Sequence, residues 1–201
     1  MLILTSNGLS SDNLIEKMQE YCKALSNAVI ITTASAGYKE KDWHIPRLTN
    51  ELKLLGLDVD YFDFDYQKPE LLLNYDVIEL NGGNPFYLLR AIKNSNCKPI
   101  LQKLVNEKIV IGISAGSIVM QNSIELIARY SPEMNDGINI LDLTGLGFSN
   151  IEVLPHYDRF INQIEEFEEQ AREYEIANQC KVIRINDGQG VIVASNDYTI
   201  V

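Results

Sequence analysis

Short apolar runs alternate with amphipathic, helix-length segments over most of the 201-residue chain. The runs lie at residues 1–5, 28–33, 57–64, 75–80 and 108–113. Their length and composition are typical of buried strands, and the segments between them have apolar residues at spacings of three and four, as helices do. Because parallel strands need crossover connections, the pattern predicts an α/β fold with a mostly parallel central sheet between two helix layers.

The helix predictions rest on the apolar spacing between these runs. Predicted helices are residues 12–25, 45–55, a short helix from Phe86, residues 99–107, residues 115–121 and an apolar stripe from Ile161 to Tyr174. Gly56 stands where the second of these helices should end, and Pro46 fits its first turn, where a missing N–H is harmless.

The C-terminal part of the chain is predicted to end in an antiparallel hairpin. Apolar residues at 181–185 and 191–194 flank Asn186-Asp-Gly-Gln-Gly190, a composition typical of a hairpin turn. A further short strand at residues 152–154 runs into Pro155-His156. Since the sequence shows no internal repeat, low-complexity tract or linker, residues 1–201 are predicted to form a single domain.

The charge balance limits the classes of partner. The sequence carries 17 Lys and Arg against 28 Asp and Glu, a net charge of −11. Such a chain repels phosphate backbones and anionic membrane surfaces, so we expect neither nucleic acid nor a membrane as a partner. The start has no basic flank, and no apolar run reaches the ~18 residues of a membrane span, so we expect neither a signal peptide nor a transmembrane helix.

The cysteines and the acidic clusters do not indicate a metal site. Cys22, Cys97 and Cys180 are far apart and form no CxxC pair, which is typical of reduced, buried thiols in a cytoplasmic protein. The four aspartates from Asp58 to Asp65 lack the glycine and the terminal glutamate of a calcium loop. We therefore expect the protein to bind no metal.

A serine stands on a turn that can serve nucleophilic chemistry. Gly112-Ile-Ser114-Ala-Gly116 fits the pattern G-x-S-x-G at the junction of a predicted strand and a predicted helix. In that context the serine hydroxyl lies above the end of the sheet, and the flanking glycines avoid Cβ clashes. The N–H of Ala115, at the start of the helix, is placed to stabilise an oxyanion. The alternative is a tightly packed turn without a chemical role.

A serine nucleophile needs a general base, which at neutral pH is most often histidine. The chain has two histidines. His156 follows a predicted strand, at the sheet edge where open α/β sheets place their active sites, so we favour it. His44 lies at the start of an amphipathic helix and is interpreted as a partly exposed structural residue.

The third group must be a carboxylate that fixes the imidazole tautomer and offsets its charge. Asp187, between the last two predicted strands, is the first choice. Asp136, in the turn-rich loop before the histidine, is the second, and Asp158 is the third because it is so close to the histidine in sequence. Asp187-Gly188 and Asn135-Asp-Gly137 also fit purely structural turns.

Asn81-Gly-Gly-Asn84 follows another predicted strand and opens another helix. Its small residues permit close approach of the backbone to a ligand, so the Gly83 N–H is a candidate second oxyanion donor and Asn84 a candidate substrate contact. A tight turn is an alternative interpretation. A phosphate cradle is disfavoured by the net charge and by the lack of a phosphate-binding motif.

Three segments, in this order, together resemble one family. Asn81-Gly-Gly-Asn-Pro-Phe86, Gly112-Ile-Ser-Ala-Gly-Ser117 and Leu154-Pro-His156 resemble the peptidase E (aspartyl dipeptidase) family of serine peptidases. The resemblance extends over residues 1–201, which it marks as one peptidase E-like catalytic domain. It implies a fold related to that of class I glutamine amidotransferases and of cyanophycinases.

The resemblance also implies the roles of the site residues. Ser114 would be the nucleophile, His156 the base and an acidic residue of the late hairpin the orienting group, with Gly83 and Ala115 as the oxyanion hole. Asp187 stands where the family carries a glutamate, so its shorter side chain leaves Asp136 open as the alternative.

One departure concerns specificity. Glu168 precedes Glu169-Gln170, where acid-specific members of the family carry an arginine. A glutamate cannot pair with a substrate aspartate, so a preference for Asp-X dipeptides is in doubt.

The main hypothesis is a cytoplasmic serine peptidase of short peptides, monomeric or a small homo-oligomer, that works without a cofactor. The alternatives are another serine hydrolase on the same site (an esterase or a cyanophycinase-like enzyme) and a non-catalytic binding protein of the same fold. A glutamine amidotransferase is disfavoured because its chemistry needs cysteine at position 114. The catalytic hypotheses require Ser114 and His156 to meet.

Overall fold

The computed structural model describes residues 1–194 and 197–201. In this part of the chain the strands are β1 (Leu2–Thr5), β2 (Asn27–Ile31), β3 (Asp58–Phe62), β4 (Val77–Leu80), β5 (Ile109–Ile113), β6 (Glu152–Leu154), β7 (Val182–Arg184), β8 (Gly190–Ala194) and β9 (Asp197–Ile200). The α-helices are α1 (Asp12–Cys22), α2 (Ile45–Leu54), α3 (Pro85–Asn94), α4 (Lys98–Glu107), α5 (Ala115–Val119), α6 (Glu125–Tyr130), α7 (Tyr157–Phe160) and α8 (Phe167–Asn178).

Seven of these strands form one sheet, in the order β3-β2-β4-β5-β1-β8-β9. The first five run parallel to their neighbours, whereas β8 is antiparallel to β1 and β9 is antiparallel to β8. The predicted α/β fold with a mostly parallel central sheet and antiparallel C-terminal strands is confirmed. Because β4, β5 and β1 are adjacent, the residues that follow them, Asn81, Ser114 and Ser6, emerge at one edge of the sheet.

Apolar side chains cover both faces of this sheet. On one face, the strand residues Ile3, Ile30 and Ile111 share an apolar cluster with Met18 of α1 and Leu48 of α2. On the other face, the strand residues Leu4, Val29 and Val110 share a cluster with helix residues. These helix residues are Leu88 of α3, Leu101 of α4 and Val119 of α5. The neighbours Ile3 and Leu4 thus belong to opposite layers, as the two-residue period of a strand requires.

The predicted hairpin of residues 181–185 with residues 191–194 is wrong in its pairing. β7 runs parallel to β6 in a separate two-stranded sheet, with Glu152 opposite Val182. Turn residues mark a change of chain direction but do not determine the partner of the strand that follows. Here the intervening segment is held by its Asp187 against Ser6 and His156, and β8 pairs with β1 and β9 instead.

The predicted helical stripe from Ile161 to Tyr174 is not one helix. α8 begins only at Phe167, and Glu166 before it has a left-handed backbone with φ 55°, through which a right-handed helix cannot continue. Ile164 instead lines a cavity together with Phe160. The predicted helix over residues 12–25 ends earlier, at Cys22, and the one predicted to be short from Phe86 is the ten-residue α3.

The cysteines are unpaired, and two of the three are fully buried. Cys22, Cys97 and the partly exposed Cys180 are free thiols. Burial raises the pKa of the Cys22 thiol to about 11 and that of the Cys97 thiol to about 12, so both stay protonated at neutral pH. None of the helices in the described residues is long and apolar enough to span a bilayer.

Candidate active site

Ser114 lies on a sharp turn between β5 and α5. Its backbone has φ 48° and ψ −107°, a strained conformation for a residue with a side chain, and its N–H donates to Thr5 O of β1 at 3.0 Å. A Cβ on Gly116 would lie 2.1 Å from the backbone oxygen of Leu80. The glycine is therefore required for the helix to start so close to β4.

His156 follows β6 and reaches Ser114 from the other side. Its backbone is left-handed, with φ 58°, and its N–H donates to Ser6 Oγ at 2.8 Å. The ring meets Phe160 edge to face, with centroids 5.7 Å apart. His156 Nε2 lies 2.9 Å from Ser114 Oγ, although 42 residues separate the two in sequence. The two side chains are within hydrogen-bond distance.

Asp187 lies on the opposite side of the imidazole. Its Oδ1 is 2.6 Å from His156 Nδ1 and accepts a hydrogen bond from Ser6 Oγ at 2.7 Å. Burial acts to raise the pKa of Asp187, but hydrogen bonds from Ser6 and His156 and the charge of Arg159 leave that pKa below its ordinary value. An ionised Asp187 accepts the Nδ1–H of His156, and Nε2 is then free to take a proton from Ser114.

The other two candidate carboxylates lie outside this line of contacts. Asp158 Oδ1 accepts the backbone N–H of Asp187 at 3.2 Å, so it supports the carboxylate that faces the histidine. Asp136 is exposed, and its N–H donates to Glu133 O at 3.0 Å. Within residues 1–194 and 197–201, Asp187 is the carboxylate in hydrogen-bond contact with His156.

Gly83 and Ala115 line the same cavity as Ser114. In the described part of the chain, no protein atom accepts a hydrogen bond from the N–H of either residue. Gly83 has φ 137°, and a Cβ there would lie 2.4 Å from Ala34 O, while one on Gly82 would lie 3.4 Å from Ser114 Cβ. The turn after β4 therefore packs against the serine turn, and two backbone donors remain available to a ligand.

The side chain of Asn84 is engaged by the protein itself. Its Oδ1 accepts the N–H groups of Phe86 and Tyr87 at 2.9 and 3.0 Å, which caps α3, and its Nδ2 donates to Met134 O at 2.6 Å. These bonds fix the turn that carries Gly83. A contact between Asn84 and substrate stays a prediction.

His44 lines a cavity of about 360 Å³ that Ser114 and His156 also line, and that we call the polar cavity because most of its lining residues are of polar types. Its Nδ1 lies 2.7 Å from Asp42 Oδ1 and its Nε2 lies 2.8 Å from Asn81 Oδ1. The ring therefore lies in close contact with Asp42 and Asn81, which agrees with the structural role expected for His44. The sequence did not indicate that this histidine holds Asn81, the first residue of the glycine turn.

The match to a known family covers nearly the whole chain. Residues 2–201 match the family model described as Peptidase family S51. The chain belongs to peptidase family S51. The uncharacterized peptidase Lmo0363 of Listeria monocytogenes serovar 1/2a is 29% identical over 133 residues, which are 64% of this chain and 64% of that protein. The chain therefore matches just under two-thirds of the length of this relative.

Solved structures share the S51 fold. A candidate peptidase E protein from Listeria monocytogenes EGD-e has a TM-score of 0.76 at 22% identity, over 100% of this chain and 96% of that one. A peptidase from an acI-B1 Actinobacterium has a TM-score of 0.72 at 19% identity, over 100% and 86% of the two chains. The fold is shared, and the resemblance that three sequence segments indicated is confirmed.

Glu168 forms ion pairs with two arginines in this S51 chain. Its carboxylate accepts from Arg184 at 3.2 Å and from Arg172 at 2.9 Å, and Arg184 also pairs with Glu175 at 2.7 Å. Although burial acts to raise the pKa of Glu168, the Arg184 guanidinium holds it below its ordinary value. The resemblance implies an arginine at this position in acid-specific members of the family. Here the position holds Glu168, whose ion pair with Arg184 joins α8 to β7.

Ser6 and Asn7 are the site residues that the sequence did not indicate. Ser6 contacts both His156 and Asp187, and Asn7 Oδ1 accepts the N–H of Gly188 at 2.9 Å. A usable signal was present, since both residues directly follow a buried strand at the carboxyl edge of a parallel sheet.

Proposed function

We propose that this chain is a serine peptidase of short peptides, with Ser114 as nucleophile, His156 as general base and Asp187 as orienting carboxylate. The observation that carries the proposal is the continuous line from Asp187 Oδ1 through both ring nitrogens of His156 to Ser114 Oγ, with distances of 2.6 and 2.9 Å. Membership of family S51 supports the same chemistry.

In the proposed acylation step, Ser114 Oγ attacks the scissile carbonyl carbon while His156 Nε2 takes the hydroxyl proton. The carbonyl oxygen becomes an oxyanion, which the N–H groups of Gly83 and Ala115 stabilise. The C–N bond then breaks, His156 gives its proton to the leaving amine, and an ester on Ser114 remains. Water attacks this ester with His156 again as base, which releases the acid and restores the serine.

Asp187 has two roles in this scheme. It holds the tautomer of His156 that carries its proton on Nδ1, and its negative charge stabilises the imidazolium that forms in each step. Ser6 donates to the same carboxylate and accepts the backbone N–H of His156. Ser6 is therefore a positioning residue that fixes both partners relative to β1.

Short peptides are proposed as substrates for two reasons. The sequence resembles peptidase E, and Ser114 lies between cavities of only about 250 and 360 Å³. Selectivity for acidic residues is not part of the proposal, because Glu168 pairs with Arg184 and Arg172.

A library of unblocked dipeptides and tripeptides, with hydrolysis followed by mass spectrometry, tests the proposal. Ser114→Ala should reduce hydrolysis to background, and a fluorophosphonate probe should label Ser114 in the wild type. The matched control is Ser95→Ala, a partly exposed serine after α3, which should leave the rate unchanged.

The outcomes separate the candidate functions. Unchanged hydrolysis in Ser114→Ala contradicts the assigned nucleophile. Turnover of simple esters without turnover of peptides would assign another serine hydrolase activity to the same site. Absence of both turnover and labelling would indicate a binding protein.

A further inference from the structure

A cavity of about 250 Å³ opens directly beside Ser114, Ala115 and His156. It is bordered by residues of α5, α6, α7 and the 3₁₀ turn Pro132–Asn135. Its walls are mainly apolar side chains: Ile118, Leu126, Ile127, Met134, Phe160 and Phe167. A concave apolar surface that touches the candidate nucleophile is suited to a substrate side chain.

Most polar side chains of this wall are already engaged by the protein. Gln121 Oε1 accepts the N–H of Val153 at 3.0 Å, and its Nε2 donates to Val153 O at 3.2 Å. Ser123 Oγ accepts the N–H of Glu125 at 3.1 Å. The Tyr130 hydroxyl is buried and has no partner among the described residues, and burial raises its pKa, so it remains uncharged.

Among the described residues that line this cavity, Arg159 is the one Lys, Arg, Asp or Glu. It is 56% exposed, and its Nη1 lies 3.6 Å from Asp187 Oδ2. An ionised substrate side chain deeper in the cavity would lose its water without gaining a partner of opposite charge, which is unfavourable. An apolar side chain that enters the cavity leaves water favourably, because it has no charge to desolvate.

The cavity on the other side of the serine has a different character. Ser114 and His156 line both cavities, whereas Asn7, Arg47 and Asn81 line only the polar one. A peptide with its scissile carbonyl at Ser114 therefore places the residues on either side of the bond in unlike environments. The polar cavity suits polar or charged groups of the substrate, and the apolar cavity suits an uncharged side chain.

We propose that the apolar cavity binds the side chain of a residue next to the scissile bond, and that leucine, methionine and phenylalanine are preferred there. This inference rests on the peptidase function proposed above. Apolar cavities of ~150 Å³ hold a benzene molecule, so a cavity of about 250 Å³ accommodates a phenyl or branched alkyl group.

The first test uses the wild-type chain and two peptide series. Each series varies one residue next to the scissile bond, on the acyl or on the amine side, among Phe, Leu, Ala, Asp and Lys. We expect kcat/KM for Phe or Leu to exceed that for Asp and Lys by at least tenfold in one series. A preference for Asp, or equal rates in both series, would overturn the proposal.

A second measurement does not depend on peptide turnover. The labelling rate of Ser114 is compared for fluorophosphonates that carry a phenylalkyl or a carboxyalkyl chain, and we expect the phenylalkyl probe to react at least tenfold faster. Faster phenylalkyl labelling without peptide hydrolysis would support the apolar cavity and contradict the peptidase function. Peptide hydrolysis with no side-chain preference would support the peptidase function and contradict the apolar cavity as a binding site.

A matched pair of variants locates the preference in the cavity. Met134→Lys places a cation on the partly buried wall and should reduce the Phe-to-Asp ratio of kcat/KM at least tenfold. Ile138→Lys adds the same charge to an equally half-buried position of the same loop that does not line the cavity, and should leave the ratio unchanged. An unchanged ratio in a folded Met134→Lys contradicts the proposal, and the wild-type series decides if that variant does not fold.

Discussion

Ser6 Oγ donates a 2.7 Å hydrogen bond to Asp187 Oδ1 across 181 residues of sequence. The same oxygen accepts the backbone N–H of His156 at 2.8 Å. One hydroxyl at the end of β1 therefore fixes the carboxylate and the backbone of the histidine together. The distance between His156 and Asp187 therefore depends on this contact as well as on the positions of β6 and β7, which the two residues follow.

The first prediction concerns this hydroxyl. Ser6→Ala should reduce kcat/KM about tenfold. This is the lower end of the ~10–100-fold loss seen when a group that orients a functional side chain is removed. The variant loses a hydrogen bond that lowers the pKa of Asp187, so that pKa should rise. Steady-state kinetics against pH and NMR titration of the Asp187 carboxyl check both effects. Ser6→Thr, which keeps the hydroxyl, should recover part of the rate, and full activity in Ser6→Ala would contradict the positioning role.

The second prediction separates the candidate carboxylates. Asp187→Asn should lower kcat by about 10³–10⁴-fold, because an amide at this position no longer favours the tautomer with its proton on Nδ1. Asp136→Asn, at an exposed position, serves as the matched control and should retain the wild-type rate. The measurement is hydrolysis of the best library peptide. A larger loss in Asp136→Asn than in Asp187→Asn would transfer the orienting role to Asp136.

The third prediction concerns a buried acid in the sheet. Glu79 is fully buried in β4, between Ile30 and Ile111 of the neighbouring strands, and neither carboxyl oxygen has a partner in the described residues. Burial, with the nearby charge of Glu51, raises the pKa of Glu79 well above its ordinary value. The folded chain therefore keeps the proton on Glu79 at a pH at which the unfolded chain has lost it.

The effect of Glu79 on stability follows from this difference. Above the unfolded value of about 4.3, the unfolded chain binds fewer protons at this position, so stability decreases as pH rises until the raised folded pKa is passed. Glu79→Leu should remove this contribution and increase the free energy of unfolding at pH 8 by ~1–3 kcal/mol. Urea unfolding at pH 5 and pH 8 measures it, with the exposed Glu70→Leu as control. A variant less stable than the wild type at pH 8 would contradict the prediction.

The fourth prediction tests the turn that carries Ser114. Gly116→Ala should destabilise the fold by about 2 kcal/mol or more and abolish labelling of Ser114, because its Cβ would lie 2.1 Å from Leu80 O and a backbone atom cannot move aside cheaply. Gly37→Ala is the matched control, since nothing lies within 4 Å of its added Cβ. Urea unfolding and probe labelling are the readouts. Wild-type stability in Gly116→Ala would show that the strand-to-helix turn differs from the one described.

Local signals predicted much of the fold and the positions of several site residues. The mostly parallel sheet follows from strand-length apolar runs between helix-period segments, and these signals act over fewer than about twenty residues. The turn at Ser114 follows from two glycines at a strand-to-helix junction. The same signals favour His156 over His44, because His156 follows a strand, and the structure places its Nε2 2.9 Å from Ser114 Oγ.

Local signals do not predict features that depend on contacts between segments far apart in the sequence. The strand over residues 182–184 pairs with β6 rather than β8, since a turn composition does not encode which strand lies alongside. The helix expected across residues 161–166 is interrupted by the left-handed Glu166. Ser6 has no motif of its own, and its importance comes from partners 150 and 181 residues away.

Local sequence patterns predicted the layered α/β architecture, the serine turn and the glycine turn, because each depends on the conformational preferences of neighbouring residues. The folded arrangement of the chain brings Asp187 rather than Asp136 to His156, places Ser6 against both residues and opens an apolar cavity beside Ser114. Contacts and cavities of this kind arise from the order of strands in the sheet and the packing of helices over it, and a local pattern cannot specify the distance between two groups on different strands.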